Sequence, residues 1–270
     1  MFVLASGVTL LQIAANPYAA ILGPPETASS RLNLAQGLNS LGTTVGPIVG
    51  ALLIFMAFST GDLSVEAVGK TYLLYGAVFL VLAVIVKLLN MPGFRNAEKR
   101  LSGWGALRFS HLRFGIVAIF MYVGAEVAIG SWLVSFAELP DTMNMDKAEG
   151  NTFLAWYWGG LMIGRLLGAI SLSNVSPEFR KRFYMALTSV GAFAFIYFAT
   201  SLREDHAVFS FDFHSISAMR MFVGLLFLNF IGFLVGRSAA ARTLTAFALV
   251  NMLLLGIGVF GSGPGAFWAL

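Results

Sequence analysis

The chain has no cysteine and little charge. Its 270 residues include 17 Lys and Arg, 13 Asp and Glu and three His, and charged residues make up only 11%. Without cysteine there is no disulfide, no thiolate nucleophile and no Cys-ligated metal. His111, His206 and His214 all fall in expected connectors, and none stands in a His-Glu-x-x-His or similar ligand spacing, so no metal centre and no cofactor are expected. The formal charge of +4 is spread over short connectors and is no nucleic-acid footprint. A soluble domain carries roughly a quarter charged residues. Water is therefore not the main solvent of this chain.

Hydrocarbon is what the sequence has in excess. Hydrophobic residues make up 58%, and the mean hydropathy is +0.81. A bilayer core about 30 Å thick takes about 20 apolar residues of helix. Runs of that kind, broken by charged or turn-forming clusters, predict an all-α, polytopic transmembrane bundle with eight spans. They lie at about 1–22, 33–58, 70–90, 113–137, 151–173, 183–201, 215–236 and 243–260, and a ninth starts near Phe267. Met1 opens directly into the first run, and the closing Gly-Ala-Phe-Trp-Ala-Leu stops early in an apolar segment. The chain is therefore expected to be a fragment with a membrane helix unfinished at either end. A secretory signal does not fit the start, because no positive segment precedes the run and Gln12, Asn16 and Pro17 interrupt it.

The connectors sort by sign. Segment 91–112 carries Arg95, Lys99, Arg100 and Arg108 against Glu98, segment 174–182 carries Arg180, Lys181 and Arg182 against Glu178, and segment 237–242 carries Arg237 and Arg242. The alternate connectors hold the acids: Asp62 and Glu66, then Glu138, Asp141, Asp146 and Glu149 against Lys147, then Glu204, Asp205 and Asp212 against Arg203. Helices that cross must put successive connectors on opposite sides, and excess Lys and Arg stays in the cytoplasm, so the alternation supports the span count independently of hydropathy. Segment 91–112 is also the longest basic connector and is loosened by Pro92, Gly93, Ser102, Gly103 and Gly105. It is the expected linker between residues 1–90, the end of an N-terminal bundle, and residues 113–270, part of a C-terminal one.

Charge inside a span needs a reason, since centring an ionised side chain costs roughly 2.5–3.5 kcal/mol even on a lenient scale. Of the 13 acidic residues, Glu126 alone sits mid-span, in Phe-Met-Tyr-Val-Gly-Ala-Glu-Val-Ala-Ile-Gly-Ser. Protonation would remove its charge, which is the property a proton carrier needs; a carboxyl tying two helices together is the plainer alternative. Gln12 and Asn16 share a face of the first span beside Pro17, which frees a backbone carbonyl. Asn33, Gln36, Asn39 and Thr43 form a polar stripe on the second. Amides both donate and accept, which suits sugar hydroxyls, although such residues also glue helices together. Asn33, near the cytoplasmic end, is read as glue. Gly42, Gly46 and Gly50, joined by Pro47, predict a small-residue face for close helix approach. Arg165 can snorkel toward the basic cytoplasmic connector and clamp a neighbouring helix end, and Arg220 reads as an anchor. Trp132, Trp156, Tyr157 and Trp158 suit an interfacial belt, while Trp156 can also stack on the apolar face of a sugar.

Several of these stretches are familiar. Gln12-Ile-Ala-Ala-Asn-Pro-Tyr18, Leu22-Gly-Pro-Pro-Glu-Thr-Ala-Ser-Ser-Arg-Leu-Asn-Leu-Ala-Gln36 and Asn39-Ser-Leu-Gly42 resemble the fourth and fifth helices of the fucose and glucose/galactose permeases of the major facilitator superfamily. Tyr122-Val-Gly-Ala-Glu-Val-Ala-Ile-Gly-Ser131 resembles the seventh. The resemblance covers about residues 1–173, and it implies proton-driven sugar uptake by rocking of two halves about a midplane site. It implies a sugar contact at Asn39, which matches a sugar-contacting asparagine of that family; Gln12, Asn16, Gln36, Tyr122 and Trp156 are the further candidate sugar contacts, Glu126 the candidate for proton coupling, and Arg165 a candidate for gating or anchoring. The fucose permease has an acid where this chain has Gln12 and an amide where it has Glu126, so the protonatable group has changed helices. Residues from Arg242 to Leu270 resemble the ninth helix and the opening of the tenth. That leaves 183–236 as an extra hairpin and the full span count open between 12 and 14. The expected partners are a small sugar, a proton and the lipid bilayer of a bacterial inner membrane, with the oligomeric state open. An antiporter of another small solute and a non-transporting sugar sensor stay as alternatives. An enzyme is not expected, because Glu126 has no intramembrane His, Cys or second acid to act with.

Overall fold

In hydrocarbon a single apolar segment can satisfy its backbone only as a helix, and the described part of each expected run is helical in the computed structural model, which describes residues 2–51, 53, 65–93, 103–145, 147–201, 216–237 and 239–270. The helices are α1 (Phe2–Ile21), α2 (Ala28–Ala51), α3 (Val65–Leu88), α4 (Ser110–Glu138), α5 (Lys147–Ser171), α6 (Glu178–Ser201), α7 (Ile216–Gly236), α8 (Ala240–Phe260) and the short α9 (Gly263–Ala269). Among the described residues there is no strand. Several helices start earlier than their apolar runs, α2 at Ala28 and α6 at Glu178. Backbone hydrogen bonding does not stop at the hydrophobic edge; it continues into the interface, where polar side chains remain solvated. Residues 54–58 of the second expected span, most of the basic linker (94–102) and the connector that holds His206 and His214 lie outside the described residues.

Among the described residues five helices are long and apolar enough to cross a membrane: α1, α3, α4, the Phe153–Ser171 part of α5, and α8; Val223–Gly236 of α7 is a shorter apolar run. The chain is thus a multi-pass membrane protein. α2 falls outside this set because Ser29, Ser30, Arg31, Asn33, Gln36, Asn39, Ser40, Thr43 and Thr44 dilute its apolar content.

The chain divides into two compact units, Met1–Val45 with Ile129–Leu270, and Gly46–Ala128. In the first, the core is built around α5. Met162, Ile163 and Leu167 of α5 pack with Met185 and Ile196 of α6 and Phe233 of α7. Glycines allow the close approach: a Cβ at Gly159 would lie 2.5 Å from Ile196 Cδ1. Phe233 also meets Phe247 of α8 edge-on at 4.9 Å between centroids. A second cluster joins Leu133 and Ala137 of α4 to Phe267 of α9. α9 is held to the connector after α4 by the Gly263 N–H, which donates to the Asp141 carbonyl at 3.1 Å. Gly263 sits at φ +68°, a left-handed position that suits glycine.

α1 and α2 are joined by a turn organised around Arg31. A helix leaves its last carbonyls unbonded, and Arg31 answers two of them, Nε donating to Ala19 O at 3.0 Å and Nη2 to Ala20 O at 2.5 Å. Its Nη1 donates to Pro24 O at 3.0 Å and to Thr27 Oγ1 at 2.6 Å. A cation at a helix C-terminus also meets the negative end of the helix dipole.

The second unit presents apolar side chains outward along α3 and α4, among them Leu80 and Phe120. In a membrane chain that is the surface expected against lipid. Near the start of α3, Lys70 pairs with Glu66 at 2.8 Å. Among the described residues, the glycine face expected at Gly42, Gly46 and Gly50 makes no close approach. Nothing described lies within 4 Å of a Cβ built at Gly42 or Gly46, and Gly50 meets only the Tyr75 hydroxyl, at 3.7 Å.

Two substitutions test this packing. Gly159→Val drives a branched side chain into Ile196 and is expected to destabilise by about 1–3 kcal/mol, the usual range for overpacking. Gly76→Val, with nothing described within 4 Å, is expected to leave the unfolding midpoint of the detergent-solubilised protein near wild type. Equal midpoints for the two variants would contradict the α5–α6 contact described here.

Candidate functional site

The expected site residues fall into three groups in the first unit and one in the second. The first group joins α1 to α2. Pro17 lacks an N–H, so the turn before it keeps a carbonyl without its usual helical partner, and Asn16 lies beside it. Gln36 Nε2 donates to Asn16 Oδ1 at 2.9 Å, so these two amides answer each other. Gln12, one turn before Asn16, is exposed, and so is Asn39, one turn beyond Gln36. Thr43 and Thr44 turn their hydroxyls back onto Ser40 O at 2.8 and 3.0 Å.

The second group joins α2 to α5. Ser40 is 1% exposed; its hydroxyl donates to Gln36 O at 3.0 Å and accepts a hydrogen bond from Arg165 Nη1. Ser30 Oγ donates to Ala169 O at 2.5 Å. The helices come close because two positions are glycine: a Cβ at Gly37 would lie 2.7 Å from Leu166 Cδ2, and one at Gly168 would lie 3.0 Å from Asn33 Oδ1. Arg165 therefore reaches across to the middle of α2, not only along its own helix toward the basic connector. Ser40 escaped the sequence reading, although a hydroxyl four residues after Gln36 on the same face was a signal for it.

The third group is a cavity. Trp156 is buried in the core, at 5% exposure. With Phe153, Tyr157, Phe267, Trp268 and Asn229 it lines a space of about 190 Å³ among α4, α5, α7 and α9. Phe153 packs on Trp156 at 5.2 Å and edge-on to Trp268 at 5.3 Å between centroids. Among the described residues, Asn229 Oδ1 is buried and has no hydrogen-bond partner. Its Nδ2 sits over α5, 3.2 Å from where a Gly164 Cβ would be. A buried acceptor without a donor costs about 1–3 kcal/mol, and because Oδ1 has almost no accessible surface, a hydroxyl or a water reaches it only when the lining of the space shifts. Aromatic faces beside one amide acceptor suit a small polyol with an apolar side. Sequence reasoning missed Asn229; the signal was a single amide in the run Leu225-Leu-Phe-Leu-Asn229-Phe-Ile.

In the second unit, Glu126 is part-buried on α4, and Tyr122, one turn earlier on the same face, is exposed.

No protein-family model matches the chain. It is 46% identical over 180 residues to a glucose/galactose transporter of Brucella abortus, a stretch covering 65% of this chain and 44% of that protein. A putative glucose/galactose transporter of Helicobacter pylori is 36% identical over 223 residues, 79% of this chain and 53% of its own length. The L-fucose-proton symporter of Escherichia coli is 30% identical over 229 residues, 72% and 51% respectively. Over that shared length, the chain belongs to the fucose and glucose/galactose permease family. It spans about half the length of the curated relatives it matches. No solved structure matches it.

For a permease-family chain, the unpartnered amide of Asn229 is a cost to folding that a ligand can recover. Asn229→Leu is therefore expected to raise the unfolding midpoint in the absence of sugar, by an amount on the order of 1 kcal/mol. Scanning calorimetry or a fluorescence melt in detergent reads it. A lowered midpoint would mean that Asn229 is already satisfied in the empty protein.

Proposed function

We propose that the full-length protein takes up an aldohexose together with a proton across a bacterial inner membrane, by alternating access of two helical halves. The observation that carries this reading is the cavity of aromatic rings and one unpartnered amide oxygen, in a chain nearly half identical, over most of its length, to a protein named as a glucose/galactose transporter. The name of the E. coli relative, a fucose-proton symporter, supports the choice of proton. Residues 1–90 then supply the end of the N-terminal half, 91–112 the cytoplasmic linker and 113–270 part of the C-terminal half, with 183–236 as an extra hairpin.

In this mechanism the apolar face of the sugar ring rests on Trp156, and one hydroxyl donates to Asn229 Oδ1. Gln12 and Asn39, exposed and amide-bearing, take further hydroxyls as the halves close, and Tyr122 adds a hydroxyl of its own. Asn16 and Gln36, bonded to each other, hold α1 and α2 in register and can release one amide to the sugar. Glu126 takes the proton before the loaded site is sealed from water, because a neutral side chain avoids the penalty of carrying a carboxylate through a low-dielectric site. Arg165 and Ser40 link α5 to α2, one helix from each proposed half. Rocking of the halves must lengthen or re-form that bond, which makes it a gate.

Proteoliposomes containing the full-length protein test the proposal. Labelled glucose or galactose is expected to accumulate when the outside is acid and the inside alkaline, with protons entering alongside. Glu126→Gln is expected to keep sugar counterflow, which needs no net proton movement, and to lose accumulation. Accumulation and proton entry at wild-type levels in Glu126→Gln would remove its assigned role. Failure of any hexose to elicit current or counterflow would favour antiport of a different solute.

A further inference from the structure

The basic connectors that follow α5 and α7 are far apart in sequence yet meet in one cavity. The space, about 550 Å³, lies between the C-terminal end of α5, the first turns of α6 and the end of α7. Lys181, Arg182 and Arg237 line it together with a single carboxylate, Glu178, which leaves two net positive charges. Lys181 is the inner cation, 5% exposed. Its Nζ donates to Ser171 O at 3.3 Å and stands 3.6 Å from Glu178 Oε1. Arg182 and Arg237 are exposed at the rim. Beneath them the lining turns apolar, at Met185, Phe233 and Leu234.

Topology alone does not ask for this. Lysines and arginines that only hold a connector in the cytoplasm need no shared position and are best left in water. Here one cation is buried, and two more line the same space, Arg182 from the next residue of α6 and Arg237 from just past the end of α7. Arg237 also sits at φ +46°, directly after α7 ends at Gly236. That left-handed position favours glycine or asparagine, and an arginine there carries a backbone penalty. Its side chain is thereby aimed from the helix end at the cavity it lines.

We propose that this cavity binds a phosphate group, and that its source is the headgroup of an anionic phospholipid of the cytoplasmic leaflet. Guanidinium groups pair with phosphate oxygens in a two-pronged geometry, and the buried ammonium supplies a point charge behind them. The exposed apolar edge distinguishes a lipid from free phosphate. An acyl chain leaving the headgroup finds Leu234, 37% exposed beside the buried Met185 and Phe233, whereas inorganic phosphate has no use for it. Occupancy ties α6 and α7 to the end of α5. The site does not depend on the sugar or the proton.

The experiment compares the unfolding midpoint of the full-length protein in nanodiscs of phosphatidylcholine and in nanodiscs containing phosphatidylglycerol, with an arm of inorganic phosphate added to the former. Phosphatidylglycerol is expected to raise the midpoint by about 2–4 °C, and Arg182→Gln and Arg237→Gln to abolish the rise. Arg237→Gly separates ligand from backbone: it is expected to raise the midpoint in phosphatidylcholine, by relieving the left-handed residue, and to lose the lipid response. Arg180→Gln removes a neighbouring charge that does not line the cavity and is expected to keep the response. An equal rise from inorganic phosphate, lost in the same variants, would keep the phosphate site and overturn the lipid as its source. A response that survives Arg182→Gln and Arg237→Gly, or that Arg180→Gln abolishes equally, would reduce the effect to diffuse surface charge and overturn the site.

Discussion

A helix in hydrocarbon cannot hand its polar side chains to water, so each one has to be answered by another helix, by its own backbone or by a ligand. That constraint organises the first unit around α2. Its polar residues are answered on two sides. Toward α1, Gln36 bonds Asn16 and Arg31 closes the end of the helix. Toward α5, Ser30 bonds a backbone carbonyl and Ser40 receives Arg165. Each such bond in a membrane is worth only about 0.6 kcal/mol on average, so none of them alone fixes the arrangement. Their joint geometry does, because turning α2 about its axis would break both sets together.

The helices themselves were legible from hydropathy and connector sign, since both follow from the solvent and not from any particular neighbour. Pairing between helices was less so. A glycine repeat states that a helix can be approached closely but not where a bulky side chain will arrive. Gly42, Gly46 and Gly50 looked like the contact face, yet described close approaches fall elsewhere, for example at Gly37, Gly159 and Gly168, where Leu166, Ile196 and Asn33 happen to point. Trp156 shows the same limit. Its neighbours in sequence read as an interfacial belt, and only the placement of α4, α7 and α9 around α5 puts it in the core. Asn229 was hidden for the opposite reason: one amide barely lowers the hydropathy of an otherwise apolar helix, although its chemical consequence at that depth is large.

The amides divide into two kinds, and the division bears on transport. Asn16 and Gln36 are bonded to each other, and Asn33 donates to Ser29 O at 2.8 Å. Such groups stabilise the empty protein and gain little from a sugar that must first displace their partners. Asn229 Oδ1 is unpartnered among the described residues, and Gln12 and Asn39 are exposed. These gain the most from new hydroxyls. A site whose polar groups are all satisfied without substrate would bind nothing tightly, while one in which none is satisfied would not fold. The observed mixture fits the proposed sugar site.

The same reasoning separates the two positive features of the chain. Arg165 lies within a span, and its bond to Ser40 joins two helices directly. Arg182 and Arg237 lie exposed at helix ends, where hydration is available at little cost, and with the buried Lys181 they converge on a shared space. A guanidinium inside hydrocarbon has to be paired by the protein itself, because nothing else can reach it. At the interface a phosphate can reach it, so a cluster of cations there can stay together without a protein carboxylate for each. The single Glu178 among three cations is therefore consistent with a membrane edge in which part of the counter-charge comes from lipid.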